Sequence, residues 1–175
     1  NEFAEKLHAK GIQPGMRIAI LSSSNAELVI AIHGCLQLGC ELVMLNERLS
    51  EVELNYQLHD SNPNILLVDN YEREINYNQR FSFHDIHNNK RKVYAMERDW
   101  PKSRTISIMY TSGTTGSPKG VRQSLENHVM NATGSALHLG IHPDDCWLCV
   151  VPLFHISGFS ILMRSVLYGM KVSLH

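Results

Sequence analysis

The sequence predicts an α/β fold, with a largely parallel sheet flanked by helices, and two observations carry that expectation. Short runs rich in Ile, Val and Leu, each too brief for a helix, recur along the chain. Between them lie longer stretches with apolar residues at helical spacing, opened by capping residues and closed by Gly or before Pro. Strand, helix and strand in alternation is the pattern of parallel strands joined by helical crossovers.

Residues 1–7 are acidic and amphipathic and read as the interior of a helix. They have neither the basic start nor the apolar stretch of a secretory signal. Strands are expected at Arg17–Leu21, Glu41–Leu45, Ile65–Val68, 106–110, 147–151 and Lys171–Leu174. Ser24-Asn25-Ala26-Glu27 reads as a capping box. The helix it opens buries Leu28, Ile32, Cys35 and Leu36 and ends at Gly39. Ser50-Glu51-Val52-Glu53 is a second box, with Leu49 and Leu54 spaced as a hydrophobic staple and a helix running to about His59, ahead of Pro63. A third helix spans roughly Leu125–Leu139, with Val129, Ala132, Ala136 and Leu139 on its inner face, and a fourth spans 157–168, closed by Gly169. Residues 69–104 break this rhythm and read as a polar connecting segment, whose Lys90-Arg91-Lys92 triplet is most simply solvated.

The 175 residues suffice for one domain. Lys plus Arg number 16 against 17 Asp plus Glu, a formal charge of −1, so no basic footprint for nucleic acid or an anionic membrane is present. No apolar run approaches the roughly 20 residues of a membrane span. With 43% hydrophobic and 19% charged residues the composition is that of a globular protein. The cysteines, Cys35, Cys40, Cys146 and Cys149, lie without a secretory signal, so reduced thiols in the cytoplasm are expected. Cys146-Trp147-Leu148-Cys149 reads as a buried strand in which residues three apart face opposite ways, which argues against a shared metal. No metal-ligand set is expected elsewhere.

The chemistry concentrates immediately after the expected strand 106–110, in Thr111-Ser112-Gly113-Thr114-Thr115-Gly116-Ser117-Pro118-Lys119-Gly120. Five hydroxyl side chains, three glycines and one lysine stand in these ten residues. Glycines let successive NH groups face one anion, hydroxyls add donors, and an ammonium offsets phosphate charge. A strand entering such a loop ahead of a helix is a phosphate-binding arrangement. The Walker pattern is excluded, because Gly116 is not followed by Lys-Ser/Thr and Pro118 blocks direct entry into a helix. Gly-x-Gly-x-x-Gly is excluded too, since Gly113 and Gly116 lack the tight first pair.

Residues 110–121, Tyr-Thr-Ser-Gly-Thr-Thr-Gly-Ser-Pro-Lys-Gly-Val, resemble the phosphate-binding signature of the adenylate-forming superfamily of acyl-CoA synthetases, luciferases and peptide-synthetase adenylation domains. Pro152-Leu153-Phe154-His155-Ile156-Ser157-Gly158 resembles that superfamily's next core motif. Leu45-Asn46-Glu47-Arg48-Leu49-Ser50, Gln123, Asn127-His128 and the run from Phe154 through Met170 are most similar to the bacterial 2-succinylbenzoate–CoA ligase family of menaquinone biosynthesis.

The resemblance implies an ATP-dependent acid–CoA ligase that works in two steps. A carboxylate attacks the α-phosphorus of Mg²⁺-bound ATP, releasing pyrophosphate, and the CoA thiol then displaces AMP. By the same resemblance Thr111, Ser112, Gly113, Thr114, Thr115, Gly116 and Lys119 bind the nucleotide phosphates. His155, where adenylate and acyl pocket meet, positions or gates the carboxylate, with helix capping as its other reading. Ser157 and Gly158 accompany it as substrate-binding residues, and Ser157 has N-cap as its alternative. Arg164 is the sole Lys or Arg between Trp147 and Met170. A partner is expected for it, and the second carboxylate of succinylbenzoate suits a bidentate guanidinium.

The partners implied are a small carboxylic acid, ATP and CoA, with homo-oligomerisation left open. Other aryl or fatty acid–CoA ligases, a non-catalytic nucleotide-binding module and a phosphotransferase with an unusual loop stay as alternatives. The resemblance further implies that residues 1–175 are an incomplete part of the large N-terminal AMP-binding domain. The C-terminal domain with its adenylation lysine is then absent, the segment alone inactive, and a sheet edge unpaired.

Overall fold

The computed structural model describes residues 2–70, 75–96, 99–112 and 116–175. In order along the chain run α1 (Glu2–Ala9), β1 (Arg17–Leu21), α2 (Ala26–Leu38), β2 (Glu41–Leu45), α3 (Glu51–Ser61) and β3 (Ile65–Val68). Then follow β4 (Arg80–Ser82), α4 (Phe83–His87), β5 (Thr105–Thr111), β6 (Lys119–Ser124), α5 (Leu125–Leu139), β7 (Cys146–Cys149), α6 (Ile156–Tyr168) and β8 (Lys171–Leu174). Six strands form one sheet in the order β4-β3-β1-β2-β5-β6, parallel except for the antiparallel β5–β6 pair, while β7 and β8 pair in parallel as a separate two-stranded sheet.

The central strands are buried on both faces, which is why they read as unbroken aliphatic runs. Ile18, Ile20, Leu42, Met44, Ile65 and Leu67 pack with α1, α2, α4 and α6 on one side. Ala19, Leu21, Val43, Leu45, Leu66 and Val68 meet Leu54 and Leu58 of α3 on the other. The two layers place every helical crossover off the sheet plane and leave the carboxyl ends of the parallel strands as an open rim. At the opposite rim Arg17 donates from Nε and Nη2 to Glu41 Oε2 (3.1 and 2.9 Å) and from Nη1 to the Ser61 carbonyl (2.5 Å), tying β1, β2 and the end of α3.

Several expectations need correction. Asn25, not Ser24, caps α2, accepting from the Leu28 NH at 2.8 Å. The 69–104 segment is not wholly a connection: β4 extends the sheet, and α4 carries its own capping box from Ser82 and Asp85 and buries Phe83 and Ile86. The basic triplet is exposed, as expected, and Arg91 also pairs with Glu5 at 2.6 Å. The loop after β5 returns as strand β6 before any helix, so the arrangement is a hairpin that precedes α5. On α5 the buried residues are His128 and Ala132, whereas Leu139 is exposed. Strand β7 is not buried throughout, since Cys146 and Leu148 are exposed and Cys149 alone of its residues is fully inside. Strand β6 pairs only with β5 among the described residues.

A buried polar contact joins β5, β6 and α5. Ser107 Oγ donates to Gln123 Oε1 at 3.0 Å, and since a hydroxyl has one proton, its contact with His128 Nε2 at 3.0 Å requires the ring NH to be the donor. The Nε2 of His128 then carries a proton, and Phe159 lies 5.3 Å away between ring centroids. Burial pushes its pKa from 6.5 down to about 4. The unfolded imidazole takes up a proton that the folded one refuses, so this group leaves stability untouched above pH 6.5 and lowers it as the pH falls towards 4. The expected loss is about 3 kcal/mol, read as a lower urea midpoint at pH 4.5 than at pH 7.5, with His128→Gln reducing the difference.

Candidate active site

Strand β5 delivers Thr111 and Ser112 to the carboxyl rim, and β6 leaves it at Lys119. Thr111 and Lys119 are cross-strand partners, so hydroxyl and ammonium emerge on the same side of the hairpin mouth. Gly116 has φ +98°, a conformation that disfavours a side chain. Gly113, Thr114 and Thr115 lie outside the described residues.

Helix α3 reaches both flanks of this loop. On the entering side the Tyr110 hydroxyl donates to Asp60 Oδ2 at 2.5 Å, with the Gln57 carbonyl 3.2 Å away. Burial first, and then the bond to the Asp60 carboxylate, push the Tyr110 pKa well above its ordinary value, so the phenol stays a donor. On the leaving side the Tyr56 hydroxyl donates to the Pro118 carbonyl at 3.1 Å. Gly120 sits opposite Tyr110, where a Cβ would lie 3.2 Å from the Tyr110 ring. The missing side chain is the space that the ring occupies. The helix itself is fixed by the expected box, Glu53 Oε2 accepting from the Ser50 NH and hydroxyl (2.9 and 2.7 Å), and those bonds hold the Glu53 carboxyl below its usual range.

Beside the loop is a cavity of about 220 Å³. Met44 and Asn46 at the end of β2, Tyr110, Thr111 and Ser112 at the end of β5, and Glu53 and Gln57 of α3 form part of its wall. Phe154 and His155 complete it, so the two sequence motifs meet in one hollow. Asn46 and Gln57 are wall residues that sequence reasoning did not assign to a site; the Leu45–Ser50 run was the available signal for Asn46. The Asn46 Oδ1 accepts from the Arg48 NH at 2.9 Å, which leaves the side-chain amide NH₂ as its other polar group.

His155 occupies the N-cap position of α6 without a side-chain capping bond, is exposed, and lies 4.6 Å from the Phe154 ring. The helix begins earlier than expected, which puts Ser157 in its exposed first turn and removes the N-cap reading for that residue. Gly158 is buried for a packing reason: a Cβ there would lie 2.5 Å from the Pro152 carbonyl oxygen and 2.8 Å from that of Val151. The second motif is tied down by Ser24, whose hydroxyl accepts from the Leu153 NH at 2.9 Å. The residue expected to cap α2 instead positions the cavity wall.

Arg164 does not line this cavity. Its Nη2 donates to Asn131 Oδ1 at 2.9 Å, and its guanidinium lies 5.2 Å from the Trp147 ring, joining α5, α6 and β7. The partner expected for this isolated cation is therefore an amide and an aromatic face. Its Nε is buried without a hydrogen bond.

Two substitutions test these assignments. Gly158→Ala is expected to cost about 3 kcal/mol or more, because the clash is with backbone, and is checked by urea unfolding. Arg164→Ala is expected to lower stability by about 1–2 kcal/mol, read as a lower urea midpoint.

With the geometry described, likeness to known proteins is informative. The family model of the AMP-binding enzyme matches residues 1–175. A 2-succinylbenzoate–CoA ligase of Bacillus subtilis is 43% identical over 176 residues, covering 99% of this chain. The chain spans 36% of that relative's length. The structure of o-succinylbenzoate CoA synthetase (MenE) from Bacillus subtilis in complex with the acyl-adenylate intermediate OSB-AMP superposes with TM-score 0.94 at 42% identity, over 99% of this chain and 47% of that one. The same enzyme in complex with ATP and magnesium ion gives 0.92 at 41% identity, over 99% of this chain and 48% of that one. By the match along its whole length, this chain belongs to the AMP-binding enzyme family.

Proposed function

We propose that the full-length protein is an ATP-dependent acid–CoA ligase that adenylates 2-succinylbenzoate and passes the acyl group to CoA. The observation that carries this reading is the meeting of Thr111 and Ser112 with Phe154 and His155 in one cavity, because phosphate donors and an acyl-side residue must share a site for adenylation. In the first step a carboxylate oxygen bonds to the α-phosphorus while the bond to pyrophosphate breaks. In the second the CoA sulfur bonds to the acyl carbon, loses its proton, and AMP leaves.

The chain's own residues supply binding and positioning. Thr111 and Ser112 offer hydroxyl donors, Lys119 an ammonium opposite Thr111, and Gly116 a backbone that can turn towards the phosphates, with Gly113, Thr114 and Thr115 assigned to the same task by the motif. His155, at the cavity wall and free of capping duty, orients the carboxylate. Ser157 stands two residues on, in the first turn of the same helix, and Gly158 lets that helix approach the motif. Magnesium supplies charge neutralisation on the phosphates when bound. The Thr111 and Ser112 hydroxyls at the loop are oxygen donors of the kind magnesium takes, and they would complete the shell of an ion carried in by ATP.

The chain is then part of the N-terminal AMP-binding domain of a longer cytoplasmic enzyme, and the 175 residues alone are inactive. Among the described residues no helix is long and apolar enough to cross a membrane, and the four cysteines are free thiols.

The test is ATP–pyrophosphate exchange by the full-length protein without CoA. Exchange that depends on 2-succinylbenzoate, and that prefers it over a panel of aryl and fatty acids, is the expected result. Lys119→Ala should lower kcat/KM for ATP about 30- to 100-fold, the loss of a charge-assisted contact. Exchange indifferent to the acid would refute the ligase reading.

A further inference from the structure

We propose that helix α3 is the positioning element of the phosphate loop, with Tyr56 and Tyr110 as the residues through which it holds the two ends. The role in nucleotide binding rests on the adenylation reading above, whereas the mechanical hold rests on geometry alone.

A loop rich in Gly, Ser and Thr loses much conformational freedom when its NH groups are aimed at one anion. Any contact that fixes its ends beforehand removes part of that cost from binding. The β5–β6 ladder brings the ends together, and the pairing of β5 with β2 stops at Met109, short of the loop. Helix α3 supplies the missing reference. Its Asp60 receives the Tyr110 hydroxyl from the strand that enters the loop, and its Tyr56 reaches the Pro118 carbonyl at the strand that leaves it. The two anchors lie four residues apart on one helix, so they share a face, and that helix is itself pinned by the Ser50–Glu53 box and by packing of Leu54 and Leu58 on the sheet. A Cβ at position 120 would crowd the Tyr110 ring at 3.2 Å, so glycine there gives the ring room to cross to α3. Gln57, between the anchors, lines the cavity, so the face that holds the loop also walls the site.

Tyr56→Phe, Tyr110→Phe and the double variant of the full-length protein provide the test. Tyr56 is 39% exposed, so its conservative replacement keeps the fold and serves if Tyr110→Phe does not fold. Amide hydrogen exchange followed by mass spectrometry should run about five-fold faster across 112–120 in Tyr56→Phe, as one neutral hydrogen bond predicts, with α3 itself unchanged. In pyrophosphate exchange the KM for ATP should rise about five-fold, while kcat and the KM for the acid stay within about two-fold.

Unchanged loop exchange in the double variant overturns the proposal. So does faster loop exchange with an unaltered KM for ATP, or a fall in kcat alone, which marks a merely structural role. If the unsubstituted protein shows no acid-dependent exchange, the adenylation reading falls by itself, and the amide-exchange comparison still decides the hold on the loop.

Discussion

Burial of the central strands on both faces is the constraint from which the rest of the molecule follows. Nearly every side chain of β1, β2 and β3 is inside, so none of these strands can present a functional group along its length. Their apolar residues alternate between the layer of α1, α2, α4 and α6 and the layer of α3, and each contributes through area removed from water. Polar chemistry is thereby confined to strand ends. Because the strands are parallel, the ends share one rim, and Asn46 and Thr111 arrive there together although β2 and β5 are far apart in the chain.

That constraint also explains which elements are legible in the sequence. Strands β1, β2 and β3 are continuous aliphatic runs, and their bounds are readable to the residue. Ser50 with Glu53 can be read because box and staple coincide. Strand β4 and helix α4 fail to register because three and five residues are too few for a period to emerge, and their burial is supplied by tertiary neighbours. Strand β6, Lys-Gly-Val-Arg-Gln-Ser, has no apolar pattern at all and owes its state to pairing with β5. Ser24 and Asn25 are equally good caps by type, and the choice between them is made by a backbone NH 129 residues away from Ser24.

The site divides along the same line. Residues whose role is written in a contiguous motif, such as Thr111, Ser112 and His155, can be named from the sequence, and they do meet. Arg164 cannot be placed that way, because an isolated cation signals that a partner exists without saying which, and Asn131 and Trp147 come from two other elements. Asn46 and Gln57 carry no chemical signal strong enough to stand out, and only the folding of β2 and α3 onto the rim reveals them. Gly158 shows the converse case, where a motif residue proves to be a matter of close approach between backbones.

The bond between Ser24 and Leu153 has a kinetic meaning. It closes a span of 129 residues, among the longest contacts in the molecule. Such closure forfeits chain entropy before it returns any enthalpy. The β1–β2 crossover has to exist before the hydroxyl of Ser24 has a fixed address, and only then can the second motif dock against it. Closure entropy therefore weighs more heavily on the wall that carries His155 than on the phosphate hairpin, whose cross-strand pairs are close in the chain.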